Sequence, residues 1–155
     1  MREITIDGTR VADDVDCYVV AEIGHNHQGS VETCKALIAA AKSCGVNAVK
    51  LQKRDNRSLY TTAYYNRPYD SENAFAPTYG AHREALEFGW DEYGCLRDYA
   101  RDLGVTFFAT PFDLPSVDFL ERLGVPCYKT ASGDILNLPL LRYVAETGKP
   151  MMIST

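Results

Sequence analysis

Long apolar runs are missing from this sequence. No stretch approaches the roughly 18 consecutive apolar residues of a membrane-spanning helix, and Met1 to Val11 lacks the hydrophobic core of a signal peptide. A cytoplasmic protein without a membrane partner is the expectation. A surplus of positive charge is missing too: 16 Lys and Arg against 21 Asp and Glu leave a formal net charge of -5. That balance argues against a general binder of nucleic acid or anionic membranes, although local basic residues can still hold a small anion. Paired cysteine spacings are also absent. Cys17, Cys34, Cys44, Cys95 and Cys127 make an odd count with no C-x-x-C and no zinc-like spacing, and they read as small buried residues in a reducing compartment. Neither a G-x-G-x-x-G nor a Walker lysine loop follows any apolar run, so the usual nucleotide signatures are excluded.

What remains is an ordinary soluble composition, 46% hydrophobic and 24% charged over 155 residues, enough for one domain with a real core. A hairpin is expected at the start: Glu3 to Ile6, a turn at Asp7-Gly8, then Thr9 to Val11. The next stretch, Tyr18 to Gly29, is an apolar strand carrying one carboxylate, Glu22, that breaks at Gly24 into His25, Asn26, His27 and Gln28. Ser30 then caps a helix whose apolar residues recur at helical spacing until Gly45. Asn47 to Lys53 is a second strand, Val105 to Ala109 a third, Pro126 to Ala131 a fourth and Pro150 to Ile153 a fifth. Helices are expected over Asp91 to Leu103, weakened by Gly94, over Ser116 to Leu123, and from the Asn137 cap through Val144. Gly45, Gly104, Gly124 and Gly148 punctuate the helix ends, where glycine can turn left-handed. Residues 54–89 show no sustained periodicity and exceed the usual βα loop. Tyr60, Tyr64, Tyr65, Tyr69 and Tyr79, with Arg57, Arg67, His82 and Arg83, suit a lid over a polar ligand there.

Five strands and four helices in alternation give an α/β fold with a parallel sheet, either open and doubly wound or a (β/α)8 barrel. Every strand ends in polar groups: Glu22, then Lys50 and Gln52, then Thr110, then Lys129 and Ser132, then Ser154. A barrel gathers strand ends into one ring. Two lysines with several hydroxyls would there make a cage for a phosphate or carboxylate, the ammonium groups giving charge and the hydroxyls giving orientation.

At these residues the chain resembles a known family. AEIGHNHQG, VKLQK, YGAHREALEF, FFATPFD and KTASGD, in this order, are similar to the N-acetylneuraminate (sialic acid) synthases and their legionaminate and pseudaminate relatives. The resemblance implies a (β/α)8 TIM barrel followed by a small antifreeze-like domain. It implies a C–C bond-forming transferase that condenses phosphoenolpyruvate with an N-acetylated mannose-type hexose, using Mn2+ or Mg2+. Carried over by motif, Glu22, Lys50 and Lys129 are the catalytic candidates. Lys50, Thr110, Lys129, Ser132 and Ser154 would hold phosphoenolpyruvate with Phe112 beside it, while Gln52 and Asp134 would face the sugar. The family often has Glu where Asp134 stands, and the shorter carboxylate bears on sugar specificity.

A barrel of this type needs about 250 residues, so residues 1–155 are expected to be its front portion, inactive alone, with the later strands, the metal-binding histidines and the C-terminal domain outside them. Unpaired sheet edges then favour association of two copies. Two other readings stand beside this one: a non-catalytic remnant that binds phosphoenolpyruvate or a partner, and a metal-dependent hydrolase barrel using His25, His27 and Lys129.

Overall fold

The computed structural model describes residues 3–155; the first two residues of the Met1 to Val11 segment lie outside it. The chain opens with strands β1 (Glu3–Ile6) and β2 (Thr9–Ala12), paired antiparallel with Ile6 opposite Thr9. Asp7 and Gly8 between them both have positive φ, 49° and 76°, the conformation a two-residue hairpin turn demands. Ile6 is buried, and the Asp7 carboxylate accepts a 3.0 Å hydrogen bond from the Thr106 hydroxyl. That bond fastens the hairpin to the amino ends of the parallel strands.

Those strands are β3 (Val20–Gly24), β4 (Ala48–Lys53), β5 (Thr106–Pro111), β6 (Tyr128–Thr130) and β7 (Met151–Ile153). They pair in parallel as β3-β4-β5 and as β6-β7, and β5 runs beside β6. Strand neighbours therefore follow chain order without a reversal, whereas a doubly wound sheet reverses at its switch point. Among the described residues no ladder joins β5 to β6, and β6 is shorter than the Pro126 to Ala131 run expected as a strand: it spans three residues, and Ala131 already leads into a 3-10 turn at Ser132–Asp134. β5, by contrast, continues through Thr110 and Pro111, with Pro111 opposite Lys53.

The helices are α1 (Val31–Ser43), α2 (Asn56–Leu59), α3 (Thr62–Tyr65), α4 (Tyr79–Glu84), α5 (Trp90–Asp102), α6 (Leu114–Leu123) and α7 (Leu138–Glu146). Ser30 caps α1 by accepting from the Thr33 N–H, as its position before the apolar period suggests. Gly45, Gly104, Gly124 and Gly148 all have positive φ, between 65° and 82°. α5 passes through Gly94 unbroken. Residues 54–89 are more structured than their sequence pattern suggests. α2, α3 and α4 are each started by a side-chain cap, from Asp55, Thr61 and Thr78, and are too short for a helical period to register.

Side chains alternate across β4 and β5. Val49, Leu51 and Phe107 face the helices, where they are buried with Cys34, Ile38, Tyr93, Leu96 and Ala100; the Tyr93 and Phe107 rings lie 6.0 Å apart. Glu22, Lys50, Gln52 and Thr110 occupy the opposite face. The cysteine reading is corrected in part. Cys34 and Cys127 are buried, but Cys17, Cys44 and Cys95 are exposed, and all five are free thiols. Cys44 is the C-cap of α1 and Cys95 follows Gly94 in α5, so neither position requires burial.

Candidate active site

Register brings the first carboxylate and the first lysine side by side, since Glu22 is the β3 partner of Lys50 on β4. The Lys50 ammonium pairs with the Glu22 carboxylate and donates to the Thr110 hydroxyl of β5 at 3.0 Å. Lys50 is only 5% exposed. Burial pulls its pKa down, Glu22 pulls it up, and the charges of Lys129 and Arg54 pull it down further, leaving it below the usual lysine range. Lys129 thus stands close enough to be felt at Lys50, and no carboxylate lies within salt-bridge distance of it among the described residues.

A second network runs along the same rim. Gln52 lies beside Glu22: a Cβ at Gly24 would sit 3.2 Å from the Glu22 carboxylate and 3.4 Å from the Gln52 amide nitrogen. The Gln52 amide oxygen accepts from Arg54 Nη2 at 2.7 Å, and the Arg54 guanidinium stacks 3.7 Å from the Phe112 ring centroid. Arg54 Nη1 faces His25 Nε2 at 3.2 Å, which in turn lies 3.3 Å from the Glu87 carboxylate. Glu87 also receives Lys53 at 3.2 Å and the Arg54 backbone N–H at 3.3 Å. Burial works to raise the Glu87 pKa, but His25 and Lys53 outweigh it and hold the carboxyl below its ordinary value.

Glu22, Lys50, Thr110, Gln52, Phe112 and Lys129 are therefore gathered along one rim. Ser132 and Asp134 sit just past β6, where Asp134 accepts from the Asn137 amide at 3.3 Å, and Ser154 follows β7. None of these three bonds directly to the lysines. Arg54, Glu87 and His25 as a joined network were missed in the sequence. The signal was present: Lys50, Gln52 and Arg54 keep the strand's period of two, so Arg54 extends the same face one step past the ladder. The tyrosines of residues 54–89 pack mainly on one another, Tyr60, Tyr64 and Tyr69 each within 5.5 Å of Tyr79.

The histidines do not form a metal centre. His27 is 1% exposed, stacks 4.1 Å from Phe88, and accepts the Gly29 N–H on Nδ1 at 3.1 Å. Burial, with His25 nearby, lowers its pKa to about 4, so it is neutral and structural. Among the described residues no three His, Cys, Asp or Glu side chains converge as a metal-ligand group, and Glu22 is engaged by Lys50. These residues do not fit a divalent cation. A cavity of about 780 Å³ lies at the other end of the strands, lined by Asp7, Asn47, Thr106 and Gly124 among others.

Residues 37–155 match the NeuB family. The chain is 41% identical to the N-acetylneuraminate-9-phosphate synthase of Mus musculus over 90% of its own length and 39% of that protein. It is 37% identical to the N,N'-diacetyllegionaminic acid synthase of Legionella pneumophila, again over 90% of this chain and 39% of that one. The crystal structure of an N-acetylneuraminic acid (sialic acid) synthetase from Leptospira borgpetersenii, in complex with citrate, superposes with a TM-score of 0.81 at 28% identity, covering 98% of this chain and 49% of that one. The chain thus spans about two fifths of the length of these curated relatives. From the matched family and these relatives, the chain belongs to the NeuB family.

Proposed function

We propose that this chain carries the phosphoenolpyruvate-holding part of a synthase that joins phosphoenolpyruvate to an N-acetylated mannose-type sugar, forming a nine-carbon 2-keto sugar acid. One observation carries the reading. In a protein of net charge -5, the buried Lys50 ammonium donates to the Thr110 hydroxyl of the neighbouring strand, and the charge of Lys129 from a third strand acts on it. Such a concentration of positive charge against the overall balance suits a ligand with both a carboxylate and a phosphate.

In this reading Lys50, Thr110, Lys129, Ser132 and Ser154 hold phosphoenolpyruvate, and Phe112 lies beside it. Gln52 and Asp134 face the sugar. The C2–C3 π pair of phosphoenolpyruvate attacks the aldehyde carbon, and the aldehyde oxygen takes a proton. Water adds to the electron-poor C2, and the C2–O bond to phosphate then breaks to leave the ketone. Lys50 and Lys129 stabilise charge on the carboxylate and the departing phosphate. Glu22, paired with Lys50, is the acidic group at the reacting centre. Among the described residues β3 and β7 each have a strand neighbour on one side only, and we read the five strands as part of a closed (β/α)8 wall in a cytoplasmic enzyme, the free edges taking further strands or a second copy. Residues 54–89 form a side wall, or lid, of the site.

Calorimetry tests the reading. Phosphoenolpyruvate should bind the 155-residue chain, and Lys50→Met should weaken it about 10- to 100-fold, the range of a charge-assisted hydrogen bond. No heat of binding to the unaltered chain overturns the proposal. With N-acetylmannosamine and Mn2+ added, the chain alone should bind without turnover. Phosphate release would show that these residues suffice, against the reading of them as one part of the enzyme.

A further inference from the structure

The Gln52 amide has a donor end and an acceptor end, and one neighbour decides which way each faces. A guanidinium donates hydrogen bonds and accepts none, so the 2.7 Å bond from Arg54 Nη2 can only reach the Gln52 amide oxygen. The NH2 is thereby turned away from Arg54. It lies on the Glu22 side, since one point, the place of a Cβ at Gly24, is 3.4 Å from the Gln52 amide nitrogen and 3.2 Å from a Glu22 carboxylate oxygen. A donor and an acceptor therefore flank a spot that glycine leaves clear.

Arg54 is itself fixed on its face and at its edges. Its guanidinium stacks 3.7 Å from the Phe112 ring centroid, Nη1 lies 3.2 Å from His25 Nε2 and 3.9 Å from the Glu87 carboxylate, and the residue is buried. Glu87 also accepts the Arg54 backbone N–H at 3.3 Å, so both ends of the arginine are tied to one carboxylate. Lys53 holds that carboxylate from the other side at 3.2 Å and donates to the Phe88 carbonyl at 2.9 Å. A planar fork with a partner at each position has one orientation. Gln52 ends a flexible side chain, and among the described residues Arg54 is the hydrogen-bond partner of its amide. Without Arg54 either end of the amide can face the site.

We propose that Arg54 is a positioning residue: it holds the Gln52 amide with the NH2 presented to the acceptor sugar, so that this spot takes a group with a lone pair to offer, a hydroxyl or carbonyl oxygen. The inference rests on the reading of Gln52 as facing the sugar. Arg54 acts through Gln52 and does not touch the sugar.

The test is a double-mutant cycle, read by calorimetry on the full 155-residue chain saturated with phosphoenolpyruvate and titrated with N-acetylmannosamine. Arg54→Met keeps a stem and removes the fork. It should weaken sugar binding about 3- to 10-fold, the range for leaving one flexible side chain to be ordered by the ligand. In a Gln52→Ala background the same change should cost less than about twofold. Arg54→Lys, which keeps the charge without the fork, should recover little. Gln52→Glu, which still pairs with Arg54 but has no NH2, should lose as much as Gln52→Ala. Phosphoenolpyruvate should still bind every variant, which a misfolded protein would not do. With no ligand present, NMR relaxation at the Gln52 amide nitrogen should report a rigid amide in the unaltered chain and a mobile one in Arg54→Met. Equal losses from Arg54→Met with and without Gln52, full recovery in Arg54→Lys, full affinity in Gln52→Glu, or an amide as rigid in Arg54→Met as in the unaltered chain overturns this inference and leaves the phosphoenolpyruvate reading standing. A chain that binds phosphoenolpyruvate but not the sugar overturns the placement of Gln52 against the sugar, and this inference with it. Failure of phosphoenolpyruvate itself to bind overturns the whole reading of the site.

Discussion

His27 links the first loop to acid stability in a way that can be worked through in numbers. Its Nδ1 accepts the Gly29 N–H and its ring lies on Phe88, 1% exposed. Burial is the main cause that lowers its pKa from 6.5 to about 4. A histidine whose folded pKa is depressed favours folding while it is neutral in both states. That contribution is complete above the unfolded pKa near 6.5 and is lost as pH falls from 6.5 to 4, where the unfolded chain binds the proton and the folded chain resists it. A gap of about 2.5 in pKa at 1.36 kcal/mol each bounds the loss at about 3 kcal/mol, a large share of the roughly 5–15 kcal/mol that holds a domain together. Other groups titrate nearby. Burial also lowers His82, Glu87 is held below its ordinary value, and burial raises Asp113 with the opposite sign. All of them remain in a His27→Asn variant, whose amide oxygen can replace the Nδ1 acceptor without titrating. Urea unfolding from pH 4 to 7 should therefore show the unaltered protein losing up to about 3 kcal/mol more than the variant across that window. Parallel profiles for the two proteins would refute the burial argument.

Two further substitutions probe the backbone. Gly94→Ala in α5 should stabilise the protein by about 0.5–1 kcal/mol in thermal or urea unfolding, because alanine is the better helix former and its Cβ would meet nothing within 4 Å. Gly29→Ala should cost about 2 kcal/mol or more: Gly29 has φ +77°, and a Cβ there would lie 2.3 Å from the Ala85 carbonyl oxygen. Because Ala85 sits between Arg83 and Glu87, the same variant should also weaken ligand binding at the rim, read by calorimetry.

Much of the scaffold could be read from residues alone because its signals are local. Gly45, Gly104, Gly124 and Gly148 end helices by a conformation that glycine adopts most easily, and Lys50 and Thr110 stand out as polar residues at the ends of apolar runs. What could not be read depends on tertiary neighbours. Arg54 begins a polar stretch, Arg54-Asp55-Asn56-Arg57, that resembles a solvated turn, yet the fold buries it between Phe112 and Glu87. Glu87 lies 33 residues further on, and nothing in its immediate sequence announces the partnership. The three short helices within residues 54–89 owe their ends to caps rather than to periodicity.

The account depends on Lys50 and Lys129 acting on one shared anion, and a double-mutant cycle in phosphoenolpyruvate affinity measures that directly. Lys50→Met and Lys129→Met should each weaken binding about 10-fold or more, and the double variant should lose less than the product of the single losses by about fivefold, as for side chains sharing one ligand. Losses that multiply to within about twofold, or a Lys129→Met protein that binds phosphoenolpyruvate as well as the unaltered chain, would contradict it.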